Sequence, residues 1–492
     1  MNVHDSSRMA EVMALSGYEV AENVESADIV ILNTCSIRDK AEQKLRSEVG
    51  RLGLRKQQGL PKAIVVAGCV GQQEGRKLLR AAPEIDLVIG PDNIAELPAL
   101  LKELDLGGIP RAVTRFDEDE PRFLPIRPTL SGSSPATYVT IMKGCNERCS
   151  FCIVPYTRGH ERYRPSEEIL TEIEQLIATG TREVTLLGQT VNSYRDPSRA
   201  LRADWEPERE HWSNTSREQS AEDLSEFPAL LRAIASRNPG LKRLRYVSPH
   251  PRHLTRALVA AHHDLPMLCR HLHLPVQSAS NRLLKRMIRR YTAEEYIERV
   301  EALKEAVPGI TLSTDVIVGF PGETTEDLEA TLSLVERMQF VCVFGFKYSE
   351  RPGTPALRLA NDISDAESST RLERLFSLAD AYRRSYLTGL VGTTQSVLVE
   401  GRKPDGAYTG RTERSEIVHL PCRRDVTGEV LDVTIRAAFK NSLAAEALDP
   451  SLSLPISALP RLERRSAGPA PTEVAPAVEV PKLRRALTLI SD

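Results

Sequence analysis

Three stretches of the chain differ in how their apolar positions recur. From residue 1 to about 105, short runs of consecutive apolar residues stand at 29–33, 63–67 and 87–89. Runs of that length without alternation predict parallel strands buried on both faces. Mixed polar and apolar stretches between them, such as 38–55, predict helices, so this block (1–105) reads as an open parallel α/β domain. Cys35 and Cys69 each fall just past a predicted strand. In open α/β sheets the loops at the carboxyl ends of the strands form the binding crevice. A Pro-rich, charged link follows at 107–135.

The alternation returns over 131–385, with predicted strands at 138–142, 183–187, 244–247, 270–274, 312–318 and 342–348. Thr292 with Glu295, and Thr324 with Asp327, have the spacing of capping boxes that open helices. Serial βα units predict a partial, TIM-like (β/α) barrel with its chemistry at the strand carboxyl ends. The stretch 195–226 breaks the rhythm with charge, Pro, Ser, Asn and both tryptophans, Trp205 and Trp212. A connection that long is uncommon in a compact domain. It is expected to be a surface loop whose tryptophans cover the barrel, the alternative being a contact with substrate. Over 387–448, strand signals at 394–399, 408–411, 417–420 and 430–435 predict a small β-barrel. The tail, 449–492, is rich in Pro, Ala, Ser and Val and is expected to be disordered.

Composition narrows the class. Hydrophobic residues at 41% and charged residues at 27% are ordinary for a soluble globular protein. No apolar run approaches the ~20 residues of a membrane helix, and residues 1–9 carry no apolar signal segment. The expectation is a cytoplasmic enzyme without a membrane partner. The net charge of -2 excludes a globally basic nucleic-acid binder but leaves room for local basic patches. Arg411 and Lys440, and the basic run 282–290, are the candidates.

Cysteine spacing changes the picture most. Of the eight cysteines, three form a CxxxCxxC run, Cys145, Cys149 and Cys152, on a loop directly after a predicted strand. In a reducing compartment such a trio reads as a metal or catalytic site. Three thiolates can hold three of the four irons of a 4Fe-4S cluster and leave the fourth open to a ligand. A structural zinc site wants four ligands, and the nearest further candidate, His160, lies eight residues beyond Cys152. Cys269, Cys342 and Cys422 stand apart without ligand spacing and are expected to be structural.

With this trio the sequence resembles the radical S-adenosylmethionine (SAM) superfamily. The resemblance implies SAM on the open iron, with Phe151 near its adenine. It becomes closer through Asn33-Thr-Cys-Ser-Ile-Arg-Asp-Lys-Ala-Glu-Gln-Lys44, Ala67-Gly-Cys-Val-Gly-Gln72 and Leu186-Leu-Gly-Gln-Thr-Val-Asn192. His271-Leu-His-Leu-Pro-Val-Gln-Ser278 and Thr314-Asp-Val-Ile-Val-Gly-Phe-Pro-Gly-Glu323 continue the series. Together they resemble the tRNA methylthiotransferase family called MiaB, and 387–448 resembles a TRAM RNA-binding domain. The match covers residues 1–448.

The resemblance implies two 4Fe-4S clusters, with Cys35 and Cys69 holding the second. It implies SAM contacts at Gly188, Gln189, Asn192, Gln277, Gly319 and Gly322. The partners it implies are the tRNA anticodon loop and an electron-donor protein; it leaves the sulfur source open, and a monomer is expected. The implied reaction attaches a methylthio group to an isopentenyl-adenosine beside the anticodon. Sibling enzymes acting on threonylcarbamoyl-adenosine or a ribosomal protein carry different residues after Cys35. A non-catalytic RNA-binding iron–sulfur protein would not need the Gly188-Gln189 motif. Arg158 and Arg164 are candidates to clamp a carboxylate or phosphate. Three departures stand out: Ala279 where the family has Gly, Tyr163 where Ser is common, and Met1-Asn2 where the family has a Gly-Cys-Gln-Met-Asn run. The last leads to the expectation that a strand and a third cysteine precede Met1, and that their absence leaves a sheet edge unpaired.

Overall fold

The computed structural model describes the chain except residues 1, 22, 37–38, 119–120, 125–133, 204–224, 460–484 and 492. Trp205 and Trp212 lie outside the described residues.

The first unit is a parallel sheet with helices on both faces. Its strand order is Tyr18–Val20, Arg485–Ser491, Ile29–Asn33, Ala63–Ala67, Leu87–Ile89 and Arg111–Val113. Alternate residues of Ile29–Asn33 feed two cores. Ile29 and Ile31 pack with Met9 and Met13 of the helix Asn2–Leu15. Val30 and Leu32 pack with Leu45 and Leu52 of the helix Asp39–Lys56. Burial on both faces is why these strands read as unbroken apolar runs.

The tail is corrected here. Arg485–Ser491 is a strand of this sheet, parallel to both neighbours, with Leu487 opposite Val20 and Ile29 and Ser491 opposite Asn33. Ile29–Asn33 is therefore paired on both sides, by Ala63–Ala67 and by this strand. The signal in the sequence is Ala486-Leu-Thr-Leu-Ile490, a β-favouring run masked by the Pro- and Ala-rich stretch before it. Tyr18–Val20 and Arg111–Val113 are too short to announce themselves.

The second unit is an open arc of parallel strands. Ala136–Thr140, Glu183–Leu187 and Arg243–Tyr246 form one sheet, and His271–His273, Thr311–Val318 and Cys342–Lys347 the other. A bridge between Leu244 and Leu268 joins them. Val139, Val184, Leu244, Leu272, Leu312 and Val343 face the surrounding helices in one continuous core. The opposite, concave face is therefore the lumen. Both expected capping boxes are formed, at Thr292 and Thr324.

The helix Asp365–Gly389 leads into a closed barrel of Thr394–Arg402, Tyr408–Thr412, Ile417–Leu420, Leu443–Ala447 and Val430–Ala438. The strand Leu443–Ala447 was not anticipated, because Leu-Ala-Ala-Glu-Ala favours helix; closure of the barrel overrides that preference. This barrel seats against the amino-terminal end of the arc. Arg243 donates to the carbonyls of Arg411 (2.6 Å) and Ser396 (2.8 Å), and Arg245 to those of Thr412 and Glu413 (both 2.8 Å).

Candidate active site

The three-cysteine loop rises from the carboxyl end of the first arc strand. Its stem is a short antiparallel pair, Met142–Lys143 with Arg162–Tyr163. Gly144 follows at φ 77°, and a Cβ there would stand 1.9 Å from the His160 carbonyl oxygen. No other residue fits this turn. The Cys145 amide donates to Gly159 O (3.1 Å) and the Cys152 amide to Cys149 O (3.0 Å). Ser150 fastens the loop to a second element, its amide donating to Met287 O (2.9 Å) and its hydroxyl to Arg286 O (2.8 Å).

The sulfurs meet polar partners. Cys145 Sγ lies 2.9 Å from Thr190 Oγ1, and Arg289 donates to Cys149 Sγ at 3.3 Å. Burial pushes the Cys152 thiol up to about 12, with Cys149 adding to the effect. Burial likewise raises Cys145. Metal binding replaces such protons, because the ligand is the thiolate. A donor set of three clustered cysteines, one facing a buried guanidinium, fits an iron–sulfur cluster carrying negative charge.

Around the loop, Phe151 packs edge-on against Phe320 (centroids 6.5 Å apart). Both ends of the buried Gln189 amide lack a hydrogen-bond partner among the described residues. A neutral donor and acceptor pair left unmatched beside the loop suits the amino and carboxylate groups of SAM. Gly319 and Gly322 turn at φ 69° and 77°, and Gly319 N donates to Glu323 Oε2 at 2.7 Å. Gln277 takes a left-handed conformation at φ 68°, costly for a residue with a side chain. That special backbone position falls on Gln277, so Ala279 is tolerated.

Two expected cofactor contacts have other physical reasons here. The space left by the missing Cβ of Gly188 is filled by Met142, whose Cγ would stand 2.6 Å from it. Asn192 uses both ends of its amide on the His250 backbone (3.0 and 2.8 Å) and so positions that loop.

Cys69 comes together with this site, and Cys35 lies on the turn next to it. Their turns are stitched by Thr34 N to Ala67 O (3.1 Å) and Val70 N to Thr34 O (3.3 Å). Cys69 lies near enough to Cys152 to raise its thiol electrostatically. Arg158, on the segment after the trio, crosses between the units. It donates to Cys69 Sγ at 3.3 Å and to the buried Asp5 carboxylate. Arg164 clamps Glu168 and Glu172 of its own chain. The carboxylates these two arginines hold are internal. Tyr163 also turns inward, donating to Glu161 and packing against Tyr194.

Of the expected RNA surface Arg289 is buried, whereas Arg282, Arg411 and Lys440 keep accessible side chains, each beside a carboxylate. Arg282 pairs with Asp327, Arg289 is buried on Cys149, Arg411 pairs with Glu400 (3.1 Å) and Lys440 with Asp380 (3.0 Å). Lys285 and Arg290 stay exposed. The site roles of Arg289, read only as one of a basic run, and of Thr190 and Asp5 escaped the sequence reading. Thr190 had a signal, its place inside the Gly188-Gln-Thr motif; the other two had none.

An open (β/α) arc bearing a CxxxCxxC loop at its carboxyl face defines a radical SAM enzyme. Family profiles agree: Radical SAM superfamily over residues 139–335, Uncharacterized protein family UPF0004 over 1–90, and TRAM domain over 390–448. A tRNA-2-methylthio-N(6)-dimethylallyladenosine synthase of Sorangium cellulosum (strain So ce56) is 56% identical over 91% of either chain. The enzyme of the same name from Agrobacterium fabrum is 41% identical over 91% of this chain and 95% of its own. The chain belongs to the tRNA-2-methylthio-N(6)-dimethylallyladenosine synthase family. Among solved structures, the radical SAM methyltransferase TsrM from Kitasatospora setae overlaps 72% of each chain at TM-score 0.47 and 16% identity. No helix among the described residues is long and apolar enough to cross a membrane.

Proposed function

We propose that this enzyme converts an N6-isopentenyladenosine beside the tRNA anticodon to its 2-methylthio derivative. The observation that carries the reading is the three-cysteine loop beside the unmatched Gln189 amide, in a chain of this family. Cys145, Cys149 and Cys152 hold the radical cluster, and Cys35 and Cys69 contribute to a second one. When bound, the first cluster with SAM would supply the one-electron chemistry that activates carbon 2 of the base, a sulfur donor the sulfur atom, and a second SAM the methyl group. The chain's own residues orient and shield. Gln189 and the turn from Gly319 to Gly322 hold SAM, and Phe151 borders its adenine. Arg289 donates a hydrogen bond to Cys149. A single-stranded anticodon loop can present a splayed base to the lumen without opening a duplex.

Two variants test the assignment. Cys149→Ala should lose reductive SAM cleavage, measured as 5′-deoxyadenosine. Cys69→Ala should retain that cleavage and lose the methylthio nucleoside, read by mass spectrometry of digested tRNA. Deoxyadenosine at the wild-type rate from Cys149→Ala, or normal methylthiolation by Cys69→Ala, overturns the respective cluster assignment.

A further inference from the structure

The lumen of the arc holds a polar layer that the cluster and SAM do not account for. On its concave face a chain of hydrogen bonds runs along two strands. His271 Nδ1 meets Thr311 Oγ1 (2.9 Å), His271 Nε2 meets Ser313 Oγ (3.0 Å), and Ser313 Oγ meets His273 Nδ1 (2.9 Å). His273 Nε2 then faces Asp315 Oδ1 at 3.4 Å. The directions follow from the carboxylate, which only accepts: His273 Nε2–H points to Asp315, so its Nδ1 accepts from the Ser313 hydroxyl, and Ser313 Oγ in turn accepts from His271 Nε2–H. His271 Nδ1 then accepts from the Thr311 hydroxyl. Burial, with Arg245 and His273 nearby, lowers His271 to about 3, which keeps it neutral. His273 is thereby fixed in orientation with Nε2 aimed at the carboxylate.

Asp315 faces His273 and keeps acceptor capacity to spare. Its Oδ2 takes no bond among the described residues, and its side chain is 27% exposed. Next to it in register stands Phe344, 46% exposed and edge-on to His273 at 5.6 Å. The ring stands in the outermost strand of the arc and faces inward, toward His273, with nearly half its surface open. Below this layer the lumen has a floor: the Arg245–Glu183 ion pair (2.7 Å), tied to the C-terminal barrel through Thr412 and Glu413. Above it, Ile317 of the same strand face packs in the cluster of Phe151 and Phe320 that borders the cysteine loop.

We propose that this layer reads the substrate base: Phe344 stacks on the purine, and Asp315 accepts the N–H of its substituted exocyclic amine. His273 is the positioning residue for Asp315. The proposal rests on the adenosine reading given above. An acceptor-only carboxylate matches an N6-monoalkylated adenine, which keeps one N–H, and the bare ring supplies the stacking surface that single-stranded bases use.

The test uses the reconstituted full chain and short anticodon stem–loop RNAs carrying N6-isopentenyladenosine or N6,N6-dimethyladenosine, which has no N–H. Phe344→Ala and Asp315→Ala should each weaken binding of the isopentenyl RNA about tenfold, while SAM affinity moves far less. Phe344→Tyr should restore stacking, and His273→Gln should hold affinity better than His273→Ala. Asp315→Ala should leave the already weak binding of the dimethyl RNA where it was. Wild-type RNA affinity in both alanine variants overturns the proposal, as does a loss confined to SAM. If instead the wild-type enzyme adds no methylthio group to the isopentenyl RNA, the functional reading itself is at fault, so the two failures are distinct.

Discussion

Arg158 shows how much rests on single buried charges. It links Asp5 and Cys69 from the segment after the radical-cluster loop, and both its ends are out of water. Burial alone would raise the Asp5 carboxyl, but Arg158 and His4 hold it well below the ordinary carboxylate range. A lowered folded-state value means stability that is present above the unfolded value of about 4 and lost as pH falls through the folded one. Removing one partner leaves an uncompensated buried charge, at a cost of about 3–5 kcal/mol. Arg158→Met should therefore lower the unfolding midpoint strongly. The double variant Asp5→Asn/Arg158→Met should recover most of the loss and show a weaker acid dependence. Denaturant titrations at neutral and acid pH check this; a double variant no more stable than the single one removes the ion pair as the cause.

At the scale of elements, the strand Arg485–Ser491 is the informative one. It lies inside the first sheet, so one edge of Ile29–Asn33 depends on a segment more than 450 positions away in the chain. Thr488 adds a side-chain bond to Asn23 O at 3.2 Å, and Ile490 packs against the core on one sheet face. Deleting 485–491 exposes the edge of a strand that is apolar on both sides, a template for aggregation. The truncated chain should elute partly as aggregate in size-exclusion chromatography and exchange the amide hydrogens of 29–33 faster. Unchanged protection of those amides would falsify the pairing.

Over the whole molecule, charge is nearly balanced at -2, so affinity for an RNA must come from local patches. Several accessible basic residues each stand beside a carboxylate of the chain: Arg282 with Asp327, Arg411 with Glu400, Lys440 with Asp380. Exposed Lys285 and Arg290 lie on the connection that also fastens the cysteine loop through Met287. Anticodon-loop affinity should fall as salt rises. Each phosphate contact contributes a slope of about -0.7 in log K against log salt for single strands. Lys285→Glu with Arg290→Glu should make that slope shallower by roughly one to one and a half units. An unchanged slope in filter-binding titrations places the RNA elsewhere.

The sequence by itself determined the class of fold and the centre of the chemistry. Buried strands must be apolar on both faces, so 29–33, 63–67 and 87–89 stood out. Three cysteines within eight residues share one loop whatever surrounds them, and both capping boxes are local. Tertiary structure decided what sequence distance hides. Arg158 and Arg164 read alike in the sequence, yet one bonds Cys69 and the other two carboxylates of the following helix. Arg289 looked like one member of a basic run and is the hydrogen-bond donor to Cys149. The helix-favouring 443–447 became a strand because the barrel had to close, and a tail read from its average composition supplied a strand to the first sheet. The reason is common to all four. Which partner a side chain or strand edge meets is set by the packing of distant segments, while spacing and periodicity record only what neighbours along the chain can do.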